Sequence, residues 1–171
     1  VISDKSGVLG LGGIIGGTTT STELDTKNIL LEAAYFNPSS IRKTARLLNI
    51  NTDAKYRFER GIDPNSIKEG LELATELILK ICGGEASKFQ ITGKTSQKNK
   101  IINFQLDQFE KLIGISITAN EIVKILSSLG FECKKSQKII KVEIPSWRHD
   151  VNLGEDLIEE IIRIKGFDNI K

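Results

Sequence analysis

Residues 101–144 read IINFQLDQFEKLIGISITANEIVKILSSLGFECKKSQKIIKVEI. Ile101 to Gln105 predicts a strand. Asp107 with Glu110, and Thr118 with Glu121, carry the spacing of a capping box, so each pair predicts a helix start. The second helix runs to Leu129 and stops at Gly130. Phe131 to Lys135 and Ile139 to Ile144 then read as a hairpin, because Ile140, Val142 and Ile144 alternate with charged residues. Pro145 ends that strand, Asn152 caps one more helix and Gly166 terminates it. The order strand, helix, helix, hairpin, helix predicts a small winged-helix-like α+β domain over residues 101–171.

Upstream, residues 93–100 (GKTSQKNK) contain no apolar side chain and read as a linker. Residues 1–92 form a separate unit. Its glycine-rich run, Gly7 to Gly17 (GVLGLGGIIGG), predicts a buried strand or strand pair that something approaches closely. Ile29 to Ala34 (ILLEAA) predicts a strand interrupted by Glu32. Asn37-Pro38 supplies an N-cap and a first-turn proline for a helix to about Leu48, with Ile41, Ala45 and Leu48 on one face. Asp63-Pro64 repeats that signal, and apolar residues from Ile67 to Ile81 recur at helical spacing up to Cys82. Gly83-Gly84 stops this helix, and Ala86 to Thr92 predicts a closing strand.

The chain has 171 residues, 39% hydrophobic and 27% charged, which is the composition of a globular protein. A net charge of +2 does not by itself imply nucleic-acid binding. No apolar run has membrane-spanning length, so no membrane association is expected. Cys82 and Cys133 are far apart and lack CxxC spacing; buried reduced thiols and a cytoplasmic location are the expectation. The chain contains no methionine and begins at Val1, so a fragment of a longer protein is expected.

Nucleotide-binding readings of the glycine run fail on a required residue. Gly10 and Gly12 fit a dinucleotide fingerprint, but position 15 is isoleucine; Gly12 to Gly17 is followed by Thr18 rather than lysine. Tight packing and a pocket wall both stay open. Glu32, within an apolar run, is expected to be at least partly buried, either in an ion pair or as a ligand-reading acceptor. In Thr52 to Pro64 (TDAKYRFERGIDP), Arg57, Glu59 and Arg60 either pair with one another or position phosphates.

The C-terminal segment concentrates carboxylates: Asp150, Asp156, Glu159 and Glu160 fall within eleven positions. Such a cluster needs solvent, an arginine or a hard metal ion as partner. Arg163, four residues after Glu159 and three after Glu160, makes a solvated salt-bridged helix face one reading. The other adds Asp150 and suits Mg2+, which takes oxygen ligands and keeps several waters. His149 is the only histidine, which excludes a histidine-rich zinc site.

Taken in order, three stretches resemble the beta subunit of bacterial phenylalanyl-tRNA synthetase. Gly12 to Gly17 with Leu31-Glu32-Ala33-Ala34-Tyr35-Phe36 resembles the core of its editing domain. Thr52-Asp53-Ala54 through Arg57-Phe58-Glu59-Arg60-Gly61 with Asp63-Pro64 resembles that domain's diagnostic string. Trp147-Arg148 with Asp150, then Asp156-Leu157 with Glu159-Glu160, Arg163 and Gly166 through Ile170, resembles the start of the metal-bearing helix of the domain that follows. Lys55 departs from the pattern, where serine is expected.

The resemblance implies an α+β chain: the C-terminal half of a mixed sheet-and-helix editing domain, then the winged-helix-like domain. It implies an alpha-two, beta-two ligase whose alpha subunit uses ATP to join phenylalanine to tRNA(Phe), and whose beta subunit hydrolyses mischarged Tyr-tRNA(Phe). Gly16, Glu32, Thr52 and Ala54 match positions lining the editing pocket. Asp150, Asp156, Glu159 and Glu160 match positions that serve as Mg2+ ligands in the family, in a site shared with the alpha subunit. No catalytic residue is assigned, and the chain alone is expected to be inactive and free of tightly bound metal. The alternatives are a non-catalytic nucleic-acid-binding winged helix, disfavoured because the Thr118–Leu129 helix carries only Lys124 in its interior, and a metal-free interaction scaffold.

Overall fold

The computed structural model describes residues 1–93 and 98–170, and the chain divides into two compact units, Val1–Ser96 and Gln97–Lys171. The centre of the expected linker, residues 94–97, lies outside the described residues.

In the first unit, β1 (Ile2–Asp4), β2 (Gly7–Leu11) and β3 (Ile15–Gly16) form an antiparallel sheet in the order β1-β2-β3. The glycine run is therefore a strand pair, but Ile14 is its one fully buried member. Three helices follow: α1 (Pro38–Leu47), α2 (Asp53–Phe58) and α3 (Ile67–Cys82). The Asn37 side chain caps α1 by accepting from the Ser40 N–H at 3.1 Å, as its position before proline predicts. Ile41 and Ala45 are buried, while Leu48 is exposed. The Asp63-Pro64 signal opens a turn instead of the helix: the Asp63 carboxylate accepts from the Asn65 N–H, and α3 begins three residues after Pro64, at Ile67.

Two expected strands are absent. Residues 29–34 and 86–92 adopt no regular structure, and Leu30, Phe89 and Ile91 are exposed. Apolar composition favours a strand only where a neighbour takes its backbone hydrogen bonds. Among the described residues, no strand pairs with either segment.

The second unit follows its predicted order. β4 (Lys100–Gln105) pairs antiparallel with β6 (Ile139–Ile144), which pairs antiparallel with β5 (Glu132–Lys135). Helices α4 (Leu106–Ile113), α5 (Ala119–Ser128) and α6 (Gly154–Lys165) complete it. Ile140, Val142 and Ile144 point inward with Phe104, Phe109, Ile122, Leu126, Leu157 and Ile161. Thr118 caps α5 as expected, accepting from the Glu121 N–H at 3.2 Å. Asp107 does not cap α4; it lies within the first turn and binds Lys111 at 2.6 Å, because Leu106 already continues β4 into the helix. Gly130 and Gly166 both take positive φ after a helix, the conformation that ends it without strain.

Candidate functional site

Two groups of residues carry the chemistry expected of this chain, one in each unit.

In the first unit, the glycine run packs against Phe36, whose ring meets Phe58 edge-on at 5.3 Å between centroids. A Cβ at Gly12 would lie 2.6 Å from Phe36 Cε1, and one at Gly13 would lie 2.7 Å from Phe36 Cδ2. At Gly17 a Cβ would come within 2.5 Å of the Leu9 carbonyl oxygen. These three glycines are explained by packing. Gly16 is different: a Cβ there meets nothing within 4 Å, and its backbone is outside the left-handed region. Neither packing nor conformation requires glycine at that position.

Thr52 ties this loop to the next helix. Its hydroxyl donates to the Ile14 carbonyl and accepts from the Lys55 N–H at 3.1 Å, capping α2. Ala54 is half-buried in the first turn of the same helix. Lys55 is also half-buried and bridges to Glu59 at 3.2 Å, so the departure at position 55 is held within α2. Arg60 binds Glu59 at 3.1 Å and stacks 3.6 Å over the Tyr56 ring, which satisfies the pairing reading for those two residues. Glu32 is exposed, and among the described residues it enters no ion pair. The expected burial fails because the segment around it has no partner strand. The structure thus brings Thr52 to the glycine run and leaves Glu32 on the surface.

In the second unit, the carboxylates have an arginine as their partner. The Arg148 guanidinium donates from Nε to Asp150 Oδ1 at 2.9 Å and from Nη2 to Asp150 Oδ2 at 2.6 Å. Its Nη2 also reaches Glu160 Oε1 at 2.9 Å. Arg163 takes the other oxygen of Glu160 at 2.6 Å. The Arg148 side chain is 18% exposed and lies 5.3 Å above the Phe131 ring. Asp156 acts as the cap: its Oδ2 accepts from the N–H groups of Asn152 at 2.6 Å and Leu153 at 2.8 Å. Leu153, not Asn152, is therefore the N-cap residue of α6. The Asn152 side chain donates instead to the carbonyls of His149 and Asp150 and accepts from Lys100. Glu159 is exposed.

These bonds shift the acids together. Hydrogen bonds from Arg148 hold the Asp150 and Glu160 carboxyls below their ordinary values, and backbone N–H donors do the same for Asp156. The reciprocal hydrogen bonds from Asp150 and Glu160 push the Arg148 guanidinium further up.

A hard divalent ion does not fit this arrangement. Both oxygens of Asp150 and both of Glu160 already accept from guanidinium groups. Among the described residues, no three His, Cys, Asp or Glu side chains lie together in a way that could hold a metal. The bonds between Arg148 and Glu160, twelve positions apart in different elements, follow from no helical spacing; only the fold reveals them. A cleft of about 650 Å³ lined by Ile115, Glu121, Lys124, Ile125, Ser128, Ile164 and Lys165 contains none of the expected site residues.

Comparison with known proteins accords with the two-unit division. Residues 1–83 match the B3/4 domain family, and residues 102–167 match the tRNA synthetase B5 domain family. The chain is 42% identical over 169 residues to a phenylalanine–tRNA ligase beta subunit of Mesorhizobium japonicum, covering 99% of this chain and 21% of that protein. It is 46% identical over 171 residues to the beta subunit of Rickettsia prowazekii, again covering 99% of this chain and 21% of the relative. The chain thus spans about a fifth of the length of the curated relatives it matches. The crystal structure of an N-terminal fragment of the phenylalanyl-tRNA synthetase beta subunit from Pyrococcus horikoshii aligns with 40% of this chain and 20% of that one, at 26% identity and a TM-score of 0.38.

Proposed function

The chain belongs to the phenylalanine–tRNA ligase beta-subunit family, and from that premise we propose that it works as part of a ligase that joins phenylalanine to tRNA(Phe) at the expense of ATP. In this reading an alpha subunit binds ATP and performs the activation. The first unit supplies one wall of a pocket that hydrolyses tyrosine mistakenly attached to the same tRNA.

The observation that supports the pocket most directly is Gly16. Its neighbours Gly12, Gly13 and Gly17 are glycines because Phe36 and the Leu9 carbonyl leave no room for more, whereas Gly16 faces open space. A glycine kept free of both packing and left-handed backbone suits a wall that a substrate approaches. Thr52 fixes the distance between that wall and Ala54 through its bond to Ile14. Ala54, being small, leaves room for an aromatic ring beside it.

Glu32 is the residue for telling tyrosine from phenylalanine, which differ by one hydroxyl. A carboxylate that accepts from the tyrosine hydroxyl prefers tyrosine most strongly where phenylalanine would leave the charge unpaired and dry. In water the preference is small, because solvent satisfies the carboxylate whichever ring is bound. Glu32 is exposed here, so its selectivity requires that the bound aminoacyl end of the tRNA exclude water from it.

The test is carried out in the assembled ligase. Glu32→Ala is expected to slow deacylation of Tyr-tRNA(Phe) while leaving phenylalanine charging intact. Gly16→Ala is expected to raise the KM for the mischarged tRNA without loss of stability. Unchanged deacylation by both variants would remove the pocket assignment.

A further inference from the structure

We infer that Arg148 is the resident cation of the Asp150–Glu160 cluster, and that it excludes a divalent ion from these carboxylates in the folded chain. The inference stands apart from the pocket proposed above, since it concerns the second unit alone.

Three observations support it. First, the guanidinium meets Asp150 with two parallel donors, Nε at 2.9 Å and Nη2 at 2.6 Å, the forked geometry that makes such pairs strong. Second, the same Nη2 reaches Glu160, so one arginine joins the segment after β6 to the middle of α6. Third, the group is seated before any carboxylate is counted. Its side chain is largely enclosed and lies over the Phe131 ring, a contact that favours a cation and disfavours a hydrated one.

The consequence for a metal follows from lone pairs. A carboxylate oxygen that accepts a short charged hydrogen bond offers little to an ion demanding near-octahedral oxygen geometry. Asp150 has both oxygens engaged by Arg148, and Glu160 has one engaged by Arg148 and one by Arg163. Asp156 caps α6 with the oxygen nearest the turn, so its orientation is fixed by the helix start. A divalent ion held between Asp150 and Glu160 would have to displace Arg148 first. Arg148 and the ion are thus alternative occupants, and the arginine is a positioning residue for the turn before α6.

The experiment uses the full chain with Mn2+ as probe, its free fraction read by paramagnetic resonance, alongside thermal melts with and without Mg2+. The wild-type chain is expected to show no saturable Mn2+ site and no Mg2+-dependent rise in Tm. Arg148→Met keeps the contact with Phe131 and removes the charge. It is expected to melt lower, to gain a saturable Mn2+ site that wild type lacks, and to recover Tm with Mg2+. Arg148→Lys keeps the charge without the fork and is expected to stay free of metal. A folded Arg148→Met chain that binds no Mn2+ would overturn the inference. So would a saturable wild-type site abolished by Asp150→Asn, and that measurement decides the matter even if Arg148→Met does not fold.

Discussion

The two units solve the burial problem differently. Among the described residues, the second encloses fifteen hydrophobic side chains in one core, while the first encloses only Ile14, Ile41 and Ala45, with Leu11, Phe36, Ile50 and Phe58 half-covered around them. Helix α3 makes the contrast sharpest. Its sixteen residues carry a clear apolar stripe, yet none is buried, and Leu73 and Ile81 are more than half exposed. In α6 the corresponding stripe, Leu157, Ile158, Ile161 and Ile162, is wholly enclosed. The same helical periodicity thus has two outcomes, decided by whether a facing sheet exists within the unit. Buried apolar area is the main favourable term in folding, so the second unit should hold most of the stability.

The chain offers a way to test that. Both tyrosines, Tyr35 and Tyr56, lie in the first unit and the sole tryptophan, Trp147, in the second, so the two emissions follow the units separately. Phe109→Ala should have the largest effect. Its side chain is fully enclosed, and its removal should cost about 3–5 kcal/mol in urea unfolding followed by tryptophan emission. Leu77→Ala in α3, at 49% exposure, should shift either transition by no more than about 0.5 kcal/mol. Equal losses at the two sites would break the contrast.

Next comes the ion network. Glu160→Gln leaves the largely enclosed Arg148 with one charged partner instead of two, at a cost of about 1–3 kcal/mol. Acid should act in the same direction. Asp150, Asp156 and Glu160 all have folded values below their ordinary 3.8, 3.8 and 4.5. The folded state therefore binds fewer protons than the unfolded one as the pH falls. Their stabilising contribution is complete above about pH 5 and is lost as the pH drops through those ordinary values and then through the lower folded ones. Tryptophan-monitored melts should fall steeply over that window in wild type and less steeply in Arg148→Met. A wild-type Tm flat down to pH 3 would contradict the network.

Glycine substitutions sharpen the contrast within the first unit. Gly13 has φ +67 and sits against Phe36; alanine there should cost about 1–3 kcal/mol by tyrosine emission. Gly16→Ala should cost about 0.5 kcal/mol or less, since its Cβ enters open space. Equal losses would mean that Gly16 is a packing glycine after all, and its place in the pocket would lose its support.

How much of this was legible in the sequence differs between the units for a physical reason. In the second, Ile140, Val142 and Ile144 alternate because one face meets the core, so strand, register and burial come from the same pattern. In the first, the apolar runs at 29–34 and 86–92 have the composition of strands without a partner to complete them. Composition reports what a segment would bury; it carries no record of the neighbour that must receive it. The candidate sites divide similarly. The capping role of Asp156 is local, three residues from the Leu153 N–H it accepts from. The partners of Gly12 and Glu160, Phe36 and Arg148, come from other elements and need the fold.

A matched pair of helix caps isolates local chemistry from the surrounding core. Asn37 and Thr118 cap helices of equal length, α1 and α5, each with a side-chain oxygen accepting an N–H three residues on, at 3.1 and 3.2 Å. Replacing either with alanine should remove about 1 kcal/mol. The lost bond is alike in both, so the free-energy changes should agree even though the units differ in stability. The fractions unfolded should not agree. The same 1 kcal/mol removes a greater share of a small total, so Asn37→Ala should visibly raise amide exchange throughout the first unit, while Thr118→Ala leaves the protection of Phe104 and Ile140 high. If Asn37→Ala alone raises exchange by the same factor in both units, the units share one cooperative transition, and the smaller core is stabilised by the larger.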